Sequence, residues 1–343
     1  NRIVGNKAEN LEKAIAYYQE ALKVYTFEAF PEDWARTQNN LGNAYYLRIK
    51  GQKEHNIEEA IACFEQALTV YTFEAFPEKW ATIQNYLGIA YYYRIKGQKA
   101  DNIEQAITCL QYALTVRTFE EFPEDCARTQ TILGFVYYHR IKGEKAKNLE
   151  QAIACYQEAL KFYTFEAFPE DWARTQNNLG NAYRDRIKGQ KAQNIEEAIA
   201  CYELALTVYT FEAFPEDWAR TQTNLGIGYH NRIKGQKAQN IEAAIACYQQ
   251  ALTLYTFEAF TQAWAMIQNN LGNAYRNRIK GQKARNLKLA IACYEEALEV
   301  YTFEAFPLTW LNVNGLKFFF KTIYIILRIV SKLKKLVGWK KNR

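Results

Sequence analysis

The sequence predicts an all-α fold, an α-solenoid of antiparallel helix pairs, on three observations. The segment running from Phe30 to Gly42 returns every 46 residues, at Phe76, Phe122, Phe168, Phe214, Phe260 and Phe306. Within each unit a Pro followed by polar residues opens one stretch of helical periodicity, and a Gly-bearing polar loop divides it from a second. A fixed period in this range marks an array in which each unit buries its apolar face only against its neighbours. Equivalent positions then line up across units, so function is expected in columns of residues and not in one cleft.

Residues 1–29 read as a partial unit holding only the second helix, and Asn1-Arg2-Ile3-Val4-Gly5 aligns with Asn277-Arg278-Ile279-Lys280-Gly281. The chain is therefore expected to be a piece of a longer array, with no signal peptide before the repeats. Six complete units fill 30–306. In each, Pro31, Glu32 and Asp33 or their equivalents open helix A, because Pro suits the first helical turn and carboxylates there oppose the positive end of the helix dipole. Only Phe260 lacks the Pro, with Thr261 in its place. Helix A is expected from about Pro31 to Arg48. Helical spacing puts Trp34, Thr37, Leu41, Ala44, Tyr45 and Arg48 on a packing side, and Arg36, Asn39, Asn40, Asn43, Tyr46 and Leu47 on an outward side.

The loop Ile49-Lys50-Gly51-Gln52-Lys53-Glu54-His55 ends helix A. Asn56 is expected to cap helix B with Glu59 completing a capping box, and Asn10, Asn102, Asn148, Asn194, Asn240 and Asn286 repeat it. In helix B, Ile57, Ala60, Ile61, Phe64, Ala67, Leu68 and Tyr71 recur at helical spacing. Cys126 stands where other units have Trp34, Trp80, Trp172, Trp218, Trp264 and Trp310, which is expected to make the third unit the weakest.

Residues 307–343 leave the repeat as an aberrant basic amphipathic tail. Leu316, Phe319, Phe320, Ile323, Leu327 and Val330 share one arc, and Lys317, Lys321, Arg328 and Lys332 another. The tail is too charged to span a bilayer comfortably. A cap on the last unit, docked near Ala292, Leu298 and Tyr301, or sequence from a shifted reading frame is favoured over membrane contact through 316–337.

The net charge of +6 is uneven, since 311–343 holds nine Lys/Arg and no acid, against 34 basic and 37 acidic residues before it. Six of seven cysteines, Cys63, Cys109, Cys155, Cys201, Cys247 and Cys293, share one repeat position. They read as small apolar residues on a packed face and not as a disulfide or metal framework. His55, His139 and His230 fall at three different repeat positions, so no metal site is expected, and no cofactor. A reducing, cytoplasmic location fits this cysteine usage.

Leu41-Gly42-x-x-Tyr45 followed by Ala60-x-x-x-Phe64-x-x-Ala67 resembles the tetratricopeptide repeat, recurring through 1–306. The period exceeds that family's usual ~34 residues, and Gln38 replaces the usual aromatic before Leu-Gly, features similar to the long-repeat branch that includes kinesin light chains. The wording Ala-Arg-Thr-Gln-Asn-Asn-Leu-Gly-Asn-Ala-Tyr also resembles cyanobacterial arrays that accompany caspase-like CHAT protease domains. The resemblance implies a right-handed α-solenoid whose inner wall is lined by helix A, and a non-catalytic scaffold for protein or peptide. The alternative it implies is the sensor array of such a protease.

The outward set of helix A coincides with the positions that face ligand in this family. Asn39, Asn85, Thr131, Asn177, Thr223 and Asn269 form a first column, and Asn43, Ile89, Phe135, Asn181, Ile227 and Asn273 a second. An Asn amide both donates and accepts, so a ladder of them can grip an extended peptide backbone. Asn is also a weak helix former, so its accumulation here argues for use. Tyr46, Tyr92, Tyr138, Arg184, His230 and Arg276 form a third, variable column, and Arg36, Arg174 and Arg220 stand one turn before the first. The second and third units add Tyr86 and Ile132, making an apolar, aromatic stretch, while the fourth and sixth offer Asn178 and Asn270. Loops bearing Arg48, Lys50 and Lys53 form a basic rim opposite turns bearing Glu28, Glu32 and Asp33. The array's near-neutral charge argues against nucleic acid.

Overall fold

The computed structural model describes residues 6–341, with side chains described through Val330. Residues 1–5, part of the partial first unit, and the side chains of 331–337, part of the proposed membrane segment, lie outside the described residues. All regular structure among the described residues is helical. Two compact units divide the chain, Asn1–Phe168 and Pro169–Arg343.

The first unit contains α1 (Lys7–Val24), α2 (Pro31–Leu47), α3 (Lys53–Ala67), α4 (Pro77–Tyr93), α5 (Lys99–Val116), α6 (Pro123–Tyr138) and α7 (Lys145–Ala159). The second contains α8 (Pro169–Asp185), α9 (Lys191–Ala205), α10 (Pro215–Asn231), α11 (Lys237–Ala251), α12 (Thr261–Asn277), α13 (Lys283–Val300) and α14 (Pro307–Lys341). Within each unit every helix packs on the next, and alternate helices such as α2, α4 and α6 also touch. These are the consecutive helix pairs of a solenoid, as the period and the two stretches per unit predict.

A short turn sets the entry to each helix A. Thr26 Oγ1 accepts from Ala29 N at 3.2 Å, and Phe30 N donates to Thr26 O at 2.9 Å. Phe27 then meets Trp34 edge to face with centroids 5.2 Å apart. The same pair recurs as Phe73–Trp80, Phe211–Trp218 and Phe257–Trp264, each near 5.1–5.2 Å. Thr-Phe-Glu-Ala-Phe is thus a fixed corner and not a flexible linker.

Helices A and B of each pair approach closely at one glycine. A Cβ added at Gly42 would lie 2.8 Å from Phe64 Cε1, and one at Gly180 2.6 Å from Tyr202 Cε1. The buried alanines Ala60 and Ala67 serve the same approach on helix B.

Asn56 does not cap helix B. α3 begins at Lys53 with Gln52 as its N-cap residue. Asn56 lies inside the helix, buried, with Nδ2 donating back to Lys50 O at 2.9 Å. Gly51, at φ +80°, takes the left-handed turn over which that side chain closes. Asn102, Asn148, Asn194, Asn240 and Asn286 make the same bond to Lys or its equivalent carbonyl six residues back. Asn6, ahead of α1, does cap with its side chain, accepting from Ala8 N at 3.1 Å.

The glutamate that follows this Asn-Ile/Leu pair ties one helix pair to the next. Arg94 Nε and Nη2 donate to the two oxygens of Glu58, both at 2.8 Å. Arg48 grips Glu12, Arg140 grips Glu104, Arg232 grips Glu196 and Arg278 grips Glu242 in the same fork. Such planar two-point pairing is the guanidinium's particular geometry. The arginines expected on a free basic rim are therefore committed to carboxylates.

Hydrogen bonds from those arginines hold Glu58, Glu104, Glu196 and Glu242 below the ordinary value of 4.5. A depressed folded-state pKa contributes stability that is present above the unfolded value and lost as pH falls through the folded one. Melting temperature is expected to fall with pH below about 4.5, and replacing all four with Gln should flatten that acid limb. Equal acid sensitivity in the two proteins would show that other groups carry it.

All seven cysteines are free and buried, and burial of the six in the shared column is what the packed-face reading expects. Burial pushes the Cys63 and Cys201 thiols up to about 12.

The tail begins as one more helix A. Val313 is buried against the last helix pair, and Leu316 and Phe320 pack on the same cluster as Leu298 and Tyr301. Docking as a cap is thus seen for this half of α14. Ala292, expected in that contact, is exposed, and Phe319, expected on the docked arc, is 60% exposed.

Candidate binding face

The first column turns inward. Asn85, Thr131, Asn177 and Thr223 are buried, at 2–7% exposure, and Asn39 and Asn269 are half-buried. The position lies where consecutive A helices pack side by side, which the wheel of a single helix does not show. Thr129 Oγ1 stands 3.1 Å from Asn85 Oδ1, and Thr221 Oγ1 donates to Asn177 Oδ1 at 3.3 Å, joined by Asn224 Nδ2 at 3.2 Å. Thr131 and Thr223 return their hydroxyls to carbonyls one turn back.

Asn39 Oδ1 and Asn269 Oδ1 have no hydrogen-bond partner among the described residues. The threonines that serve Asn85 and Asn177 stand 44 residues further on. At that offset from Asn39 and Asn269 stand Ile83 and Val313, which have no hydroxyl to offer. Asn85 and Asn177 are therefore framework between repeats, and the expectation that these two belong to a peptide-gripping ladder is corrected: a buried amide already paired with a neighbouring helix cannot also grip a backbone.

The second and third columns do reach the surface. Asn43, Ile89, Phe135, Asn181, Ile227 and Asn273 are half-buried, as are Tyr46, Tyr92, Tyr138, Arg184, His230 and Arg276. In the first unit they build an aromatic patch at the ends of α2, α4 and α6. Tyr92 lies 5.1 Å from Phe135, Phe135 lies 4.4 Å from His139, and Tyr138 lies 4.8 Å from His139. Tyr46 reaches Tyr93 at 6.2 Å.

Each tyrosine of the third column carries an ammonium over its ring. Lys53 sits 5.0 Å above Tyr46, Lys99 4.5 Å above Tyr92 and Lys145 5.0 Å above Tyr138. Each lysine also donates to its tyrosine's backbone carbonyl. Lysine at the first turn of helix B is thereby fixed over the end of helix A, a pairing legible only as Tyr-x₆-Lys in the sequence. Partial desolvation lowers the His139 imidazole from its ordinary value.

The second unit is polar at the same positions except Ile227. Asn181 Oδ1 accepts from Tyr202 OH at 2.9 Å and from Arg184 Nη1 at 3.1 Å. Asn273 Oδ1 accepts from Tyr294 OH at 3.0 Å. Arg184 also pairs with Asp185 at 2.9 Å, and His230 Nε2 stands 2.9 Å from Asn277 Nδ2. Arg276 lies 5.5 Å from the Phe320 ring, so the tail touches this column. Arg36, Arg174 and Arg220 are exposed and paired with Asp33, Asp171 and Asp217 of their own helices. No group of three or more His, Cys, Asp or Glu positioned for a metal occurs among the described residues.

Comparison with known proteins agrees with this architecture. A tetratricopeptide repeat model matches 172–207 and 264–301, and a Sel1 repeat model matches 5–23, 35–69, 84–114, 127–161 and 219–254. The chain is a repeat array of the tetratricopeptide type. Among solved structures it is similar to the Cut9-Hcn1 hetero-tetramer of the APC/C, at TM-score 0.58 and 18% identity over 90% of this chain. It spans 46% of that matched chain's length. BtubC (BKLC) from P. vanneervenii is similar at TM-score 0.52 and 20% identity, over 71% of this chain and 90% of that one. No curated protein matches the sequence. Repeats of this type are protein-interaction scaffolds, typically without catalytic activity.

Proposed function

We propose that the chain binds a segment of a partner protein along the second and third columns of helix A. The observation that carries this is the patch of half-exposed Tyr46, Tyr92, Phe135 and Tyr138 with three lysines held over the tyrosine rings. The rings keep part of their surface exposed, and rigid aromatics give large contact area at small entropic loss. Such a patch suits apolar side chains flanked by carboxylates. The second unit, with Asn181, Arg184 and Arg276 at the same positions, suits polar and acidic groups. Seven free, buried thiols support a reducing, cytoplasmic setting.

Tyr92→Ala with Phe135→Ala should leave the fold intact, because both rings are half-exposed, and should weaken partner capture at least tenfold, as removing two interface anchors of ~1–2 kcal/mol each does. Undiminished capture by a folded double variant would overturn the assignment of the face.

A further inference from the structure

We infer that the outer face of α14 lies on an anionic lipid surface. Three faces are distinguishable on this helix at about 100° per residue. Val313, Leu316 and Phe320 face the last helix pair. Phe318, Phe319, Ile325, Ile326 and Ile329 form a second, contiguous face and are 50–69% exposed. Lys317, Lys321 and Arg328 line the edge between the two.

The repeat itself cannot cover the second face. Phe318 stands in register with Gly42, Gly88, Gly134, Gly180, Gly226 and Gly272, the position against which each helix B packs. An added Cβ there already falls 2.6–2.8 Å from a ring or Leu carbon of helix B. A whole phenyl group therefore forbids a following helix B in the geometry of the array. An apolar face of this size calls for another occupant.

Charge selects it. Residues 311–343 carry nine Lys/Arg and no Asp or Glu. A second copy of the chain would bring like charges together along the same edge, whereas an anionic bilayer complements both the apolar face and the cations beside it. No helix of the described residues is long and apolar enough to cross a membrane, so α14 would lie in the interfacial plane and not span it.

The test uses the whole chain and flotation with vesicles of phosphatidylcholine, alone or mixed with phosphatidylserine. Flotation is expected only with the phosphatidylserine vesicles, weakening as salt rises. Lys317→Gln, Lys321→Gln and Arg328→Gln together should reduce it on the order of a hundredfold. Ile325→Asp with Ile329→Asp, both on exposed positions, should abolish it while circular dichroism stays unchanged. Absence of flotation, flotation that survives the Asp variants, or self-association in sedimentation that these variants abolish would each overturn the inference, the last in favour of a second copy.

Discussion

Replacing Gly180 with Ala is expected to destabilise the array, although Ala is the better helix former by about 1 kcal/mol. The new Cβ would fall 2.6 Å from Tyr202 Cε1, 2.9 Å from Cδ1 and 3.1 Å from Cζ. Tyr202 has no exposed surface, and its hydroxyl is tied to Asn181 Oδ1, so the ring cannot turn aside. Either the ring or the helix pair must move, and overpacking of this kind costs roughly 1–3 kcal/mol. Gly315, also inside a helix, has nothing within 4 Å of the same added atom. Gly315→Ala should therefore stabilise by up to about 1 kcal/mol. Thermal melting of the two variants checks the sign, and a rise in both would show that helix A and helix B are further apart than described.

Arg117→Ala is expected to cost about 2–4 kcal/mol, combining lost core volume with polar groups left unpaired. Arg117 occupies the repeat position of Tyr71, Tyr163, Tyr209, Tyr255 and Tyr301, and it is 6% exposed. Its guanidinium donates to Thr129 Oγ1 at 3.1 Å and to Thr82 Oγ1 at 3.0 Å, joining α6 to α4. Asp125 stands 3.8 Å away as the nearest carboxylate. The chain thus departs twice from the repeat where the second unit meets the third, at Arg117 and at Cys126, and the buried Arg supplies a cross-link where the Trp ring is lost. Hydrogen exchange on the variant should show α5 and α6 opening before the rest. Arg128→Ala, which removes an exposed Arg paired with Glu124, should change stability by less than about 1 kcal/mol. Equal effects of the two substitutions would contradict the role given to burial.

The helices, the period and the packed cysteine column were legible because each is a property of one unit repeated. Pro31 and Gly51 mark boundaries locally, and Ile57, Phe64 and Ala67 show a helical stripe without reference to anything else. What escaped depends on the spacing between units. Asn85 looks outward on the wheel of its own helix and is buried only because α6 lies beside α4. Glu58 and Arg94 are separated by 36 residues, and their pairing follows from stacking and not from either helix. Asn56 was misplaced for a different reason: an Asn four residues into a helix can bond backward over a left-handed Gly as readily as it can cap. The binding face is accordingly narrower than the wheel suggests, since Asn85 and Asn177 are lost to it and their cost in helix propensity is explained by interhelical bonds.

That narrowing is the central claim, and site-specific photo-crosslinking tests it most directly. A crosslinking residue is placed in turn at Tyr92, on the proposed face, and at Ala62, exposed on helix B of the preceding pair. Partner adducts are expected from position 92, diminished by Phe135→Ala, with none from position 62. Adducts from 62 in place of 92, or adducts indifferent to Phe135, would contradict the assignment of the helix A columns as the partner face.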